Sequence, residues 1–291
     1  KILLEGPLKK YEAGKSSSSY IVSYKNSYLN KSAPIFYPNV NDGVLPYSFS
    51  DLYSKLSFNS AKGSNMSMFG FDYSDAVDFP NSTSYNWKSR GLGSKFLLVP
   101  EGSKTIVDGS VTFSNYLIQQ LELDSRPRKS GINGYNVNLN FSRFLNESDK
   151  LKYGLEMNGF RTDFEFYNTL NRKISQNENT SEINAFINYL KNFNKRVLLE
   201  TGIRMQRYAS LQETTLEPRI RLKYNITKRV RFKASTGLYS QNLMSAVSDR
   251  DVVNLFYGFL SGPTDLPETF MGEEVTTKLQ KSRHAVAGFE F

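Results

Sequence analysis

The sequence predicts an all-β fold: the wall of a transmembrane antiparallel β-barrel, with short turns at one end and long loops at the other. Three observations carry that prediction. Apolar and polar residues alternate with period two from end to end, and helical periodicity is nearly missing. Many alternating segments exceed the roughly five or six residues usual for a globular strand. Short turns and long polar excursions alternate along the chain.

Strands are expected at about 2–8, 18–29, 50–59, 65–73, 86–99, 104–117, 134–144, 150–166, 181–190, 196–209, 217–225, 229–241 and 283–291. "KILLEGPL" opens the chain without an initiator Met and "HAVAGFEF" closes it; both are strand-like, so the chain reads as a segment of a longer protein. The cleanest strand, "YNVNLNFS", sets Tyr135, Val137, Leu139 and Phe141 against Asn136, Asn138, Asn140 and Ser142. Its partner, "LKYGLEMNG", sets Leu151, Tyr153, Leu155 and Met157 against Lys152, Gly154, Glu156 and Asn158. Ile183, Ala185, Ile187 and Tyr189, then Val197, Leu199, Thr201, Ile203 and Met205, repeat the arrangement.

The connections carry a second rhythm. "PEGS", "LNESD", "KNFNK" and "NITK" are short, whereas 30–49, 74–85, 118–133, 167–180 and 242–282 are long and polar. A soluble sandwich has no reason to gather its long loops at one end of a meander; an outer-membrane barrel does so, with short periplasmic turns and long extracellular loops. Tyr153, Tyr189 and Tyr224 lie on the apolar face near short turns, either as an interfacial girdle or simply as good strand residues.

"EPRIRLKYNITKRVRFKASTGLY" decides which face meets what. Ile220, Leu222, Tyr224, Val230, Phe232, Ala234 and Leu238 oppose Arg219, Arg221, Lys223, Arg229, Arg231 and Lys233. Cations facing hydrocarbon near the midplane would cost roughly 2–4 kcal/mol each, so the Ile220 face meets lipid and the Arg219 face an aqueous lumen. The basic strip is then either a site for an anionic ligand or a surface paired with acids of a domain filling the barrel. Solvated lumen charge costs little, which favours the structural alternative.

One segment, "SDRDVVNLFYGFLSGP", reads as a short amphipathic helix held above the barrel. Ser248 caps it, Val252, Val253, Phe256, Phe259 and Leu260 form its apolar face, and Gly262 and Pro263 stop it. The remaining loops mix aromatic and polar residues, a composition suited to sugars, chelated metals or protein partners; Tyr47, Trp87 and Tyr257 are the candidate ligand contacts there.

Composition removes other classes. A content of 39% hydrophobic and 14% aromatic residues is too rich for disorder. Apolar runs no longer than "FLLV" exclude a helical span, and the mean hydropathy of -0.47 is compatible with alternating membrane strands. With no Cys there is no disulfide framework, zinc-thiolate site or thiol nucleophile. The lone His284 falls on the inward parity with Val286, Gly288 and Glu290, where it reads as a lumen histidine bonded to a neighbour rather than a catalytic base, and no enzyme is expected. Glu273, Glu274 and Asp265 lack the ligand spacing of a calcium loop, so no metal is expected. The net charge of +9 is spread over alternate strand positions instead of a groove-sized helix, which argues against nucleic acid.

"LEGPLKK", "SSYIVSYKNSYL", "LPYSFSDLYSKLSFN", "MFGFDYSDAVDF", "LEPRIRLKYNI", "LYSQ", "RDVVNLFYGFLSGP" and "HAVAGFEF", in that order, resemble TonB-dependent outer-membrane receptors. The version is the Bacteroidota one, which carries a regulatory-like domain and a plug. The likeness covers nearly the whole chain; each motif is loose, and their order and spacing are what is specific. It implies a barrel of about 22 strands around a plugged lumen, in the outer membrane of a Gram-negative bacterium, importing a ligand without a cofactor. Residues 1–291 would be part of the barrel domain, with the plug, the energy-coupling box and the C-terminal strands outside them. The implied partners are outer-membrane lipid, the plug of the same polypeptide, the TonB energy-transducing complex, and a surface lipoprotein or other outer-membrane subunits. A receptor-like barrel serving as a non-transporting subunit of a larger outer-membrane complex needs the same wall. A soluble β-rich binding protein is the third reading, and it predicts no lipid-exposed band.

Overall fold

Alternation becomes pairing in the computed structural model, which describes the chain except for residues 41, 42, 44, 80, 81, 123–125, 169, 195, 247–257, 262–267 and 271. The strands are β1 (Ile2–Lys9), β2 (Ser17–Asn26), β3 (Tyr47–Asn59), β4 (Asn65–Asp78), β5 (Ser84–Leu98) and β6 (Thr105–Leu121). They continue as β7 (Pro127–Phe144), β8 (Lys150–Tyr167), β9 (Lys173–Phe193), β10 (Val197–Tyr208), β11 (Glu213–Asn225) and β12 (Arg231–Gln241). After β12 come the short β13 (Leu243–Ala246), β14 (Gly258–Ser261), β15 (Thr269–Phe270) and β16 (Glu273–Glu274), then β17 (Gln280–Glu290). β1 to β12 pair in chain order and β17 pairs with β12, giving one 13-stranded antiparallel sheet with β1 and β17 at its edges.

Each strand expected from the alternation is present, but several are longer than expected. β4 to β9 absorb most of 74–85, 118–133 and 167–180, which become tall two-stranded hairpins with short tips instead of loops. The excursion after β2 contains a helix that alternation does not announce, α1 (Leu29–Phe36), which lies against β3. Pro34 stands inside this helix. Gly43 closes over it at φ 76°, where a Cβ would come within 2.7 Å of the Pro34 Cα.

The excursion after β12 departs most from expectation. Residues 248–257 of the proposed helix lie outside the described residues, and so do 262 and 263. Phe259 and Leu260 belong to β14, which pairs with β13 as a strand. This hairpin is not held above the sheet: β14 lies against β7, β8 and β9. Asn242 leaves β12, crosses β11 and β10, and donates to Thr180 Oγ1 on β9 at 3.1 Å. Thr180, Ser130 and Thr162 share the Asn136 face and are buried, whereas Asn133 and Arg161 on the opposite face are exposed. The chain therefore folds back onto the Asn136 face.

Cross-strand partners in an antiparallel sheet point to the same side, so register carries one face across the whole wall. Ile220 stands opposite Thr201 and Thr236, and Leu222 opposite Leu199 and Ala234. Followed through every ladder, that face bears Leu4 and Val22, Leu56 and Met68, Leu92 and Phe113, Val137 and Met157, and Ile183 and Met205. On β8 the apolar run ends at Gly159, and Arg161, Asp163 and Glu165 follow on the same side. Leu151 to Gly159 is about nine residues, which at ~3.3 Å per residue and a tilt of about 40° rises roughly 23 Å, close to the apolar band of a membrane barrel.

Burial separates a membrane wall from a soluble body. Among the described residues the buried apolar side chains are Ala33, Ile118, Tyr208 and Leu279. Leu92, Leu155 and Leu216 are each 60% exposed and Ile220 is 48% exposed. A water-soluble chain does not leave a continuous apolar face of this extent uncovered. No described helix is long and apolar enough to cross a membrane.

Candidate functional site

The face opposite the apolar band is built by the same period-two rule and carries most of the polar residues of the middle strands. Asn136, Asn138 and Asn140 form a ladder on it. Asn138 Nδ2 donates to Ser110 Oγ at 2.6 Å, Asn140 Nδ2 to Asp108 Oδ2 at 2.9 Å, and Asn136 Nδ2 to Glu156 Oε1 at 3.1 Å. Amide side chains alternating with apolar ones thus tie three strands together on the inner side.

The basic strip lies on this inner face, at the end of the short turns. Arg221, Lys223 and Lys233 line a trough of about 630 Å³ with Glu200, Glu290 and the apolar Leu198 and Val286. Lys223 and Lys233 stand directly opposite one another on β11 and β12. Like charges in that position repel. Lys233 is relieved by Glu290, 2.7 Å away, which also takes Arg231 at 3.4 Å. Arg221 faces Glu200 at 3.5 Å. Lys223 has no ion-pair partner among the described residues.

Arg219 is held differently. Glu217, almost fully buried, pairs with it at 2.7 Å and also accepts from the Ser240 backbone N–H at 2.8 Å. The Arg219 guanidinium lies over the Tyr239 ring at 4.6 Å, and Tyr239 meets His284 edge-on at 5.1 Å. Arg219 is therefore committed to structure. His284 does face inward, with its Nε2 3.0 Å from Ser282 Oγ on the same strand.

Arg229 does not join the strip. It sits in the turn between β11 and β12, where its backbone N–H and that of Val230 donate to Thr227 Oγ1 and the Ile226 N–H donates to the Val230 carbonyl. The turn needs those groups, so β12 starts at Arg231 and not at 229.

The aromatic candidates separate in the same way. Trp87 is half-buried on β5, opposite Asp75 and Ile118, and stacks on Tyr85 at 5.5 Å; Tyr47 is the first residue of β3. Both are strand residues rather than loop residues, and both point inward at the long-excursion end. Tyr257 lies outside the described residues. Glu273 and Glu274 form β16 and pair with β15, and Asp265 lies outside the described residues. Sequence reasoning missed Tyr85 and Asp75 beside Trp87, because it read that segment as loop, where no strand parity aligns side chains.

The inner face therefore presents an aromatic mouth at one end and a cationic trough at the other. Counting Arg221, Lys223 and Lys233 against Glu200 and Glu290, the trough carries an excess of one positive charge. It suits carboxylate or phosphate groups, and its apolar flanks suit a partner that is not purely ionic.

No protein-family model matches the sequence, and no curated protein matches it at the level of sequence. Solved structures match by fold. The FrpB iron transporter of Neisseria meningitidis, in its apoprotein form, aligns with a TM-score of 0.61 at 13% identity, over 81% of this chain and 43% of that one. The hemophore receptor HasR of Serratia marcescens, a double mutant in complex with its hemophore HasA and heme, gives 0.56 at 11% identity, over 81% and 42%. The outer membrane transporter YddB of Escherichia coli gives 0.51 at 11%, over 81% and 38%. The chain thus spans less than half the length of these structures and shares their fold.

Proposed function

We propose that this chain is part of the wall of a TonB-dependent outer-membrane receptor of a Gram-negative bacterium, of the Bacteroidota type with a regulatory-like domain and a plug. The observation that carries the reading is the register-locked apolar band facing one way and the charged strip facing the other, in a fold shared with receptor and transporter barrels. In this reading the aromatic mouth around Trp87 meets the incoming ligand. The trough lies at the short-turn end, away from the long excursions, and seats acidic side chains of the plug of the same polypeptide; the unpaired Lys223 is its primary anchor. Heme and iron, named for the structures similar in fold, define the first ligands to test. The TonB complex supplies energy through the plug, and a surface lipoprotein covers the long-excursion end.

A zero-length carbodiimide applied to the full-length polypeptide in membranes tests the seat. The expected product joins Lys223 or Lys233 to a carboxylate of the plug, and Lys223→Ser reduces it without changing barrel assembly. Cross-links confined to Glu200 and Glu290 would contradict the plug seat. Inactivating the inner-membrane energy complex separates transport from scaffolding, because only an importer loses accumulation of its ligand.

A further inference from the structure

Asp75 stands inside the aromatic mouth. On the inner face of the sheet it lies directly opposite Phe49 on β3 and Trp87 on β5. Tyr73 and Val77 flank it along β4, and the diagonal positions are Tyr47 and Asp51 on β3 and Tyr85 and Ser89 on β5. Diagonal side chains are roughly 7–8 Å apart, within reach of an aromatic ring. Five of these eight neighbours are therefore aromatic, one is a carboxylate and none is a cation. The rings are ordered by stacking: Tyr85 lies on Trp87 at 5.5 Å and Phe71 on Tyr73 at 4.9 Å. Asp75 is exposed, and so are Phe49 and Tyr47, so the enclosure is open to the lumen.

Carboxylates lower on the same face each hold a cation of the chain: Glu200 pairs with Arg221, Glu217 with Arg219 and Glu290 with Lys233. At the mouth neither Asp75 nor Asp51 has an ion-pair partner among the described residues. The nearest cation in the register is Lys25, which stands opposite Asp51 on β2 and pairs with neither carboxylate. Two carboxylates against one lysine leave the mouth negative by one charge, the reverse of the trough at the other end.

We propose that the mouth recognises its ligand through an alkylated ammonium group. The alkyl substituents lie against Phe49, Tyr73 and Trp87, and the charge sits over Asp75 with Asp51 behind it. Aromatic faces attract a cation through their quadrupole, by about 0.5–2 kcal/mol depending on desolvation, and Trp is the strongest of them. A carboxylate set among rings adds charge to the same preference, whereas an anionic group at this position meets repulsion. The inference rests on the reading of the Trp87 mouth as the ligand's point of entry, and narrows the class of ligand that enters there.

Choline and dimethylbutanol, its uncharged carbon isostere, are the probes. Each is titrated onto the full-length polypeptide in detergent, with binding read from broadening of the probe's methyl proton resonance. Choline is expected to bind about tenfold more tightly than the alcohol. Asp75→Asn is expected to weaken choline about tenfold and leave the alcohol unchanged, with heat-modifiable gel migration as in wild type; Trp87→Leu weakens both. Equal affinity for the two probes, choline binding indifferent to Asp75→Asn, or no choline binding because a basic side chain of the plug already occupies Asp75 would each overturn the proposal. Equal binding that Trp87→Leu abolishes sinks only the charge preference, whereas binding indifferent to Trp87→Leu also removes the mouth as the point of entry.

Discussion

At the turn before β8 the carboxylate of Asp149 accepts four hydrogen bonds. Lys191 Nζ lies at 2.7 Å, Asn146 Nδ2 at 3.1 Å, the Tyr189 hydroxyl at 3.3 Å and the Asn192 backbone N–H at 3.3 Å. Lys191 and Asn146, the leading causes, lower its pKa from 3.8 to about 2. A depressed carboxylate stabilises the folded state above its unfolded pKa, and that contribution disappears as pH falls through the folded value. Asp149→Asn should therefore lower the unfolding midpoint in detergent at neutral pH, with the gap to wild type closing between about pH 4 and pH 2. A gap constant over that interval would show that the carboxylate's charge is not what locks the turn. Tyr189 is legible here as an outward aromatic near a short turn, but its bond to Asp149 is not, because the partners come from separate hairpins.

The hairpin of β11 and β12 was readable to within four residues, because its faces differ in kind: cations against aliphatic and aromatic side chains. Its turn was less legible, since Arg229 and Arg231 share parity and only the Thr227 hydroxyl bonds place Arg229 outside the strand. The tops of β6, β7 and β9 were illegible for a different reason, although β8 was readable to within one residue. Asn115, Asn133, Arg161 and Asn179 follow one another across the outward face, so the apolar side of the pattern switches there, and Ile118, Ile132, Phe160 and Phe164 lie on the inward parity. Backbone ladders need no apolar face, and the strands go on. The contrast gives a paired prediction at the level of the element. Leu222→Arg puts a cation on the apolar side and should cost about 2–4 kcal/mol if it lies near the bilayer midplane, seen as loss of the heat-modifiable folded band. Arg221→Ser/Lys223→Ser, on the other side, should assemble normally. Normal assembly of the Leu222→Arg variant would contradict the assigned facing.

For the whole molecule, one decision organises the rest: hydrophobic side chains lie on the outside of a single curtain of strands rather than between two layers. The sheet order, the inner asparagine ladder and the polar collar follow from it. The re-entry after β12 does not. The sequence there has helical periodicity, yet Phe259 and Leu260 pair as strand and β14 lies against β7 to β9 on the inner face. Tertiary packing overrides local pattern where a segment meets an existing polar wall. The re-entrant hairpin covers part of the inner face of β7 to β9, a space that the plug proposed above would share with it.

The absence of cysteine from the chain makes the facing directly measurable. Spin labels placed one at a time at 219 to 224 in the full-length protein, reconstituted in bilayers, report collision with oxygen from the lipid phase and with a nickel chelate from water. The facing described here predicts strict alternation: oxygen dominates at Ile220→Cys, Leu222→Cys and Tyr224→Cys, and the chelate at Arg219→Cys, Arg221→Cys and Lys223→Cys. Uniform accessibility along the strand, or alternation with the opposite phase, would contradict it.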